Sequence, residues 1–194
     1  MQSAFSVELG REDPALEVPW SSDDGLLRFY DLKQQPELLL EISETRHNQE
    51  LGEFLAAINS AYSPLASAKC DTWLTNELDA EDEVFQASWK FGCYVDVFYS
   101  RREDQASFPA HEALGQSLER LLRKVPEISG AVEIILRRCY FQRDGMVAEG
   151  FALTLYVFGY GDDEEEARRR WAVAMKLAQN ALMQAAVAQA RSAP

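Results

Sequence analysis

Apolar and polar residues alternate through two long stretches, 131–142 and 146–160, on either side of Asp144-Gly145. Asp-Gly between alternating runs is the signature of a two-residue hairpin turn. The turn pairs Arg143 with Met146 and so fixes the register of everything behind it. Leu136 then faces Leu153, Ile134 faces Leu155 and Val132 faces Val157, which gathers the apolar residues on one face.

Elsewhere the period changes. Leu51, Phe54, Leu55, Ile58 and Tyr62 recur at helical spacing and predict a helix over about 48–62, stopped by Ser63-Pro64. Leu114, Leu118, Leu121 and Leu122 predict a second over 109–124, with Pro109 in its first turn. A third runs over 163–190, opened by a capping box of Asp162 and Glu165. Its two apolar stripes, one through Trp171, Met175 and Leu182 and one through Val173, Leu177 and Ala181, predict burial on more than one side. Residues 68–78 and 89–100 read as strands, joined by the acidic loop 79–83. Residues 26–32 read as a short strand, and 37–43, ambiguous between strand and helix, are taken as a strand.

The expected fold is α+β, an antiparallel sheet of about five strands in split βαβ (ferredoxin-like) order, with an added hairpin strand and a long C-terminal helix. Residues 1–25 are expected to form an irregular N-terminal arm, and 26–194 one domain.

Strand alternation divides the sheet into two faces. Phe91, Cys93, Val95, Val97 and Tyr99 join the apolar side of the hairpin to form the core. The opposite face carries Asp71, Trp73, Thr75 and Glu77, then Tyr94, Asp96 and Phe98, then Glu133, Ile135, Arg137, Cys139 and Phe141, and finally Thr154, Tyr156, Phe158 and Tyr160. It is too aromatic for a solvated face and too charged for a buried one. Three readings follow. The terminal helix and the arm cover it; or it forms a homodimer interface; or it lines a small-molecule cavity in which Arg137 anchors an anion. The candidate ligand-binding residues are Asp71, Trp73, Tyr94, Asp96, Glu133, Arg137 and Tyr156. Arg137 is expected to pair with Asp96 or Glu133.

Charge narrows the partners. The net charge is −13, and all of the surplus acid lies in the first 108 residues, since 109–194 carry as many bases as acids. Clustered Lys and Arg, which nucleic acid and anionic membranes require, are missing. The first 25 residues lack the basic start and apolar run of a secretory signal. Three widely spaced cysteines suit a reducing compartment, and a cytoplasmic location is expected.

Neither His47 nor His111 has a neighbour at metal-ligand spacing, so no metal or other cofactor is expected. Both read as helix-start residues. Cys70, Cys93 and Cys139 read as small buried apolar residues, with Cys70 and Cys93 sharing the core face. The run 158–161, Phe-Gly-Tyr-Gly, precedes a helix as a phosphate loop would, but the five acids that follow would repel an anion. The function expected first is a non-catalytic cytoplasmic binding or assembly module, a homodimer through the C-terminal helix. The second is an enzyme or small-molecule-binding domain, taking an acidic ligand on Arg137.

Overall fold

The hairpin forms as its turn dictates. In the computed structural model, which describes residues 1–80 and 82–192, Asp144 and Gly145 both take positive φ, 51° and 75°. Gly130–Arg143 and Met146–Gly161 pair antiparallel with Leu136 opposite Leu153. In chain order the strands are β1 (Gln2–Glu8), β2 (Leu16–Val18), β3 (Leu65–Thr75), β4 (Trp89–Tyr99), β5 (Gly130–Arg143) and β6 (Met146–Gly161). The helices are α1 (Ser43–His47), α2 (Gln49–Ile58), α3 (Arg102–Gln105), α4 (Phe108–Leu122) and α5 (Glu164–Ser192). The fold is mixed α and β, a six-stranded sheet in the order β1-β5-β6-β4-β3, with β2 also on β5.

Several expectations are corrected. The sheet is not wholly antiparallel, because β1 and β2 both join β5 in parallel. The arm expected to be irregular therefore supplies two strands. Phe5 is the large residue that seats β1, its ring lying where a side chain on Gly115 of α4 would otherwise sit. Residues 26–32 form no strand. The Asp24 carboxylate accepts from Leu26 N–H at 3.0 Å, Gly25 turns at φ 69°, and a single bridge, Ser21 with Arg28, closes the turn. Residues 37–43 are not a strand either. Pro36 opens a 3-10 helix over Pro36–Glu41, with Leu38 and Leu39 against the core and Leu40 in solvent. The cap of α5 falls one residue later than expected, with Asp163 accepting from Glu166 N–H at 2.8 Å.

The core lies between the sheet and α2, α4 and α5. The terminal helix packs on the core face, not on the polar one. The stripe through Trp171, Ala174, Met175, Ala178 and Leu182 is fully buried, and α5 contacts β6, β4, α2 and α4; of the second stripe Ala181 is buried, Leu177 half-buried and Val173 exposed. Two glycines make this possible. A Cβ on Gly159 would stand 2.1 Å from the Trp171 backbone nitrogen, and one on Gly161 would stand 2.4 Å from that of Ala167. The Phe-Gly-Tyr-Gly run thus serves close helix–strand contact. Gly159→Ala is expected to cost about 1–3 kcal/mol, since the obstacle is backbone that can only move away. Urea denaturation reads this directly, and an unchanged midpoint would contradict the packing.

Candidate functional site

Strand register arranges the opposite face in rows. Asp71, Tyr94, Tyr156 and Glu133 are successive cross-strand partners from β3 to β5. In the next row toward the strand end, Trp73, Gly92, Phe158 and Ala131 are partners, and Trp73 lies over Gly92 with its edge toward Tyr156 and Phe158 at 6.4 and 6.1 Å. On the other side, Asp96, Thr154 and Ile135 form a row, followed by Phe98 on β4 and the pair Ala152 and Arg137.

The two ends of this face are covered by different segments. At one end Val18, Leu16 and Phe29 pack on Phe98, Cys139, Phe141 and Ala152. Trp20 donates its indole N–H to the Ala68 carbonyl at 2.8 Å, and the Lys33 ammonium holds this arm to the carbonyls of Ser60, Ser63 and Leu65. At the other end Phe85, from a short 3-10 turn over Asp82–Phe85, stacks on Tyr160 at 3.8 Å. The first expected reading is thus met by the arm alone, and incompletely, since the middle of the face stays open.

Two hollows remain. One, of about 480 Å³, lies between the arm, residues 41–44 and the β3–β4 edge, and includes Asp71 and Tyr94. The other is an open trough of about 850 Å³ floored by Trp73, Tyr156, Phe158 and Tyr160. Glu77, Asp79 and Glu133 stand along it. Of the seven expected residues, Trp73, Glu133 and Tyr156 line the trough, Asp71 and Tyr94 line the smaller hollow, and Asp96 and Arg137 line neither.

Arg137 pairs with Glu8, 3.2 Å away, and not with Asp96 or Glu133. The reason is β1, which sets Glu8 directly opposite Arg137. The Arg137 Nε is buried without a hydrogen-bond partner. Asp96 instead accepts from Thr154 Oγ1 at 2.5 Å. Burial pushes its carboxyl up to about 6, and the Thr154 hydrogen bond and the positive charges of Arg137 and Lys69 offset only part of that. The Tyr94 hydroxyl is also pushed up, by burial first and then by Asp96 and Asp71.

Sequence reasoning missed the charged cluster at the trough wall. Lys90 donates to both oxygens of Asp82 at 3.0 and 2.8 Å, and Tyr160 Oη donates to Asp82 Oδ1 at 2.6 Å. Burial pushes Asp82 up, but these hydrogen bonds outweigh it and hold the carboxyl below its ordinary value. The Lys90 ammonium also sits 4.4 Å from the centre of the Phe158 ring. The signal was present in the alternation of β4, which puts Lys90 on the same face as Tyr94 and Asp96.

Cys70, opposite Val95, and Cys93 do share the core face. The thiol of Cys93 accepts from the Trp171 indole at 3.3 Å and burial pushes it up to about 12; burial raises Cys70 and Cys139 as well. His111 lies in the first turn of α4, buried, its Nδ1 donating to the Ser107 carbonyl at 2.9 Å. No helix among the described residues is long and apolar enough to cross a membrane. The chain gives no significant match to any protein-family model, to any curated protein or to any solved structure.

Proposed function

We propose that this chain is a non-catalytic binding module whose ligand lies in the trough over the open middle of the sheet. One observation carries the reading. Trp73 and Tyr156 remain only half-buried on a sheet face whose two ends are each covered by a dedicated segment of the chain. Aromatic rings left open inside a concave, partly polar surface are the usual lining of a ligand site. The polar groups at the wall support binding over acid–base work. Tyr160, Lys90 and Asp82 are tied to one another, which holds them in place.

The three unpaired cysteines support a reducing, cytoplasmic setting. The antiparallel pairing of β4 with β6 argues against the expected ferredoxin-like order, whose two central strands run parallel. Self-association through α5 has less support than its stripes suggested, because the sheet, α2 and α4 bury the stripe through Trp171, Met175 and Leu182 and leave only Val173 and Val187 as exposed large apolar residues among the described part of the helix.

A thermal-shift screen of small molecules of mixed charge, run on the wild type and on Tyr156→Ser, tests the binding reading. Compounds that raise the melting temperature of the wild type are expected to lose most of that effect in the variant. Hits that stabilise both proteins equally, or no hits at all, would overturn it.

A further inference from the structure

The smaller hollow, between the arm and residues 41–44, has a chemistry of its own. We propose that it is a second binding site, independent of the trough, and that it takes a zwitterion with an apolar body: a free apolar amino acid or a short apolar peptide. Its volume of about 480 Å³ is ordinary for a small-ligand site. The buried Leu32, Leu55 and Ala68 supply apolar lining. Charges of both signs surround them. Arg28 on the arm and Lys69 on β3 are cations, while Glu41 and Glu44 on the opposite bank and Asp71 on β3 are anions.

None of these five side chains forms an ion pair with a described residue. Both cations rest on rings instead. Lys69 Nζ lies 5.1 Å from the centre of the Trp20 ring, and Arg28 Cζ lies 5.6 Å from that of Tyr30. A ring face holds a cation without using its N–H donors, and neither side chain donates a hydrogen bond to a described residue. The backbone sets both positions. A bulge between Ser67 and Cys70, on the edge strand of the sheet, re-aims Lys69. Trp20 is pinned by its indole on the Ala68 carbonyl, and Arg28 is bridged to Ser21. The acids meet neutral donors at most: Ser43 Oγ donates to Glu44 and the Thr72 N–H to Asp71. A simple anion would bring its charge against the carboxylates, and a simple cation against Arg28 and Lys69. A zwitterion answers both signs and lays its apolar body over the leucines.

Isothermal titration with leucine, leucyl-leucine, N-acetyl-leucine and leucine amide tests the proposal. Leucine or leucyl-leucine is expected to bind, and the tighter of the two tells amino acid from peptide. N-acetyl-leucine lacks the ammonium and leucine amide lacks the carboxylate, so each should bind about 2–5-fold more weakly than leucine. Lys69→Gln and Arg28→Gln, both at exposed positions, should weaken leucine by a similar factor and leave the amide unchanged. The exposed Glu41→Gln should weaken leucine and leave N-acetyl-leucine unchanged. Tyr156→Ser, in the trough, should affect none of them. No binding by either zwitterion, or leucine bound no better than its two singly charged derivatives, would overturn the proposal. Binding that Tyr156→Ser abolishes and Lys69→Gln does not would put the ligand in the trough: the second site fails and the trough reading stands.

Discussion

Trp171→Ala is expected to destabilise the protein by about 3–5 kcal/mol, the range for truncating a large buried aromatic. The indole is fully buried, meets Phe91 edge to face at 4.8 Å and donates to Cys93. The Trp171 backbone stands against Gly159, which holds the helix in place, so loss of the indole opens a hollow between α5 and β4 beside Phe91 and Cys93. Domains of this size have roughly 5–15 kcal/mol in all. The melting temperature should therefore fall by roughly 6–20 °C. Trp73→Ala, on the half-open face, should cost only about 1 kcal/mol. Calorimetry on the two variants checks the contrast, and equal losses would contradict the division of the sheet into a core face and an open face.

Asp96→Asn should make the protein more stable at neutral pH and change little at pH 4. The folded carboxyl is raised from 3.8 to about 6, so it binds its proton more tightly than in the unfolded chain. The stability this confers is complete below pH 3.8 and is lost as pH rises through 6. The loss amounts to about 3 kcal/mol by the usual conversion. Asparagine keeps an oxygen for the Thr154 hydroxyl and has no charge to bury, so the variant escapes that loss. Urea denaturation at pH 4, 5, 6 and 7.5 should show the two proteins equal at the acid end and diverging toward neutrality. A difference constant across that range would contradict the assignment.

Much of this architecture could be read from local pattern. The β5–β6 register followed from Asp144-Gly145 and the facing apolar residues, because a two-residue turn leaves no freedom to slip. The period of two also placed Trp73, Tyr94, Asp96, Glu133, Arg137 and Tyr156 on one face before any coordinates. What failed was non-local. In β1 only Phe5 anchors an otherwise small and polar strand, so 2–8 looked irregular, and with it went the identity of Arg137's partner, Glu8. Short apolar runs such as 26–32 and 37–43 fit several structures. There Gly25 and Pro36 decided the outcome, more than the leucines did. The breadth of apolar surface on α5 announced burial on several sides but not what would cover it. The glycines at 159 and 161, each facing the incoming helix, were the readable clue.

The binding of a small molecule in the trough is the central claim, and the indole of Trp73 reports on it most directly. In a ¹H–¹⁵N spectrum the four tryptophan side-chain signals can be told apart, with Trp73→Phe identifying the one that matters. On titration at near-physiological salt with a compound whose stabilising effect is lost in Tyr156→Ser, the Trp73 indole and the backbone amides of Tyr156 and Glu133 are expected to shift together and saturate, while the Trp171 indole stays fixed. A Trp73 signal that does not move while the protein remains folded, or shifts spread evenly over the acidic residues of the first 108 positions, would contradict the account.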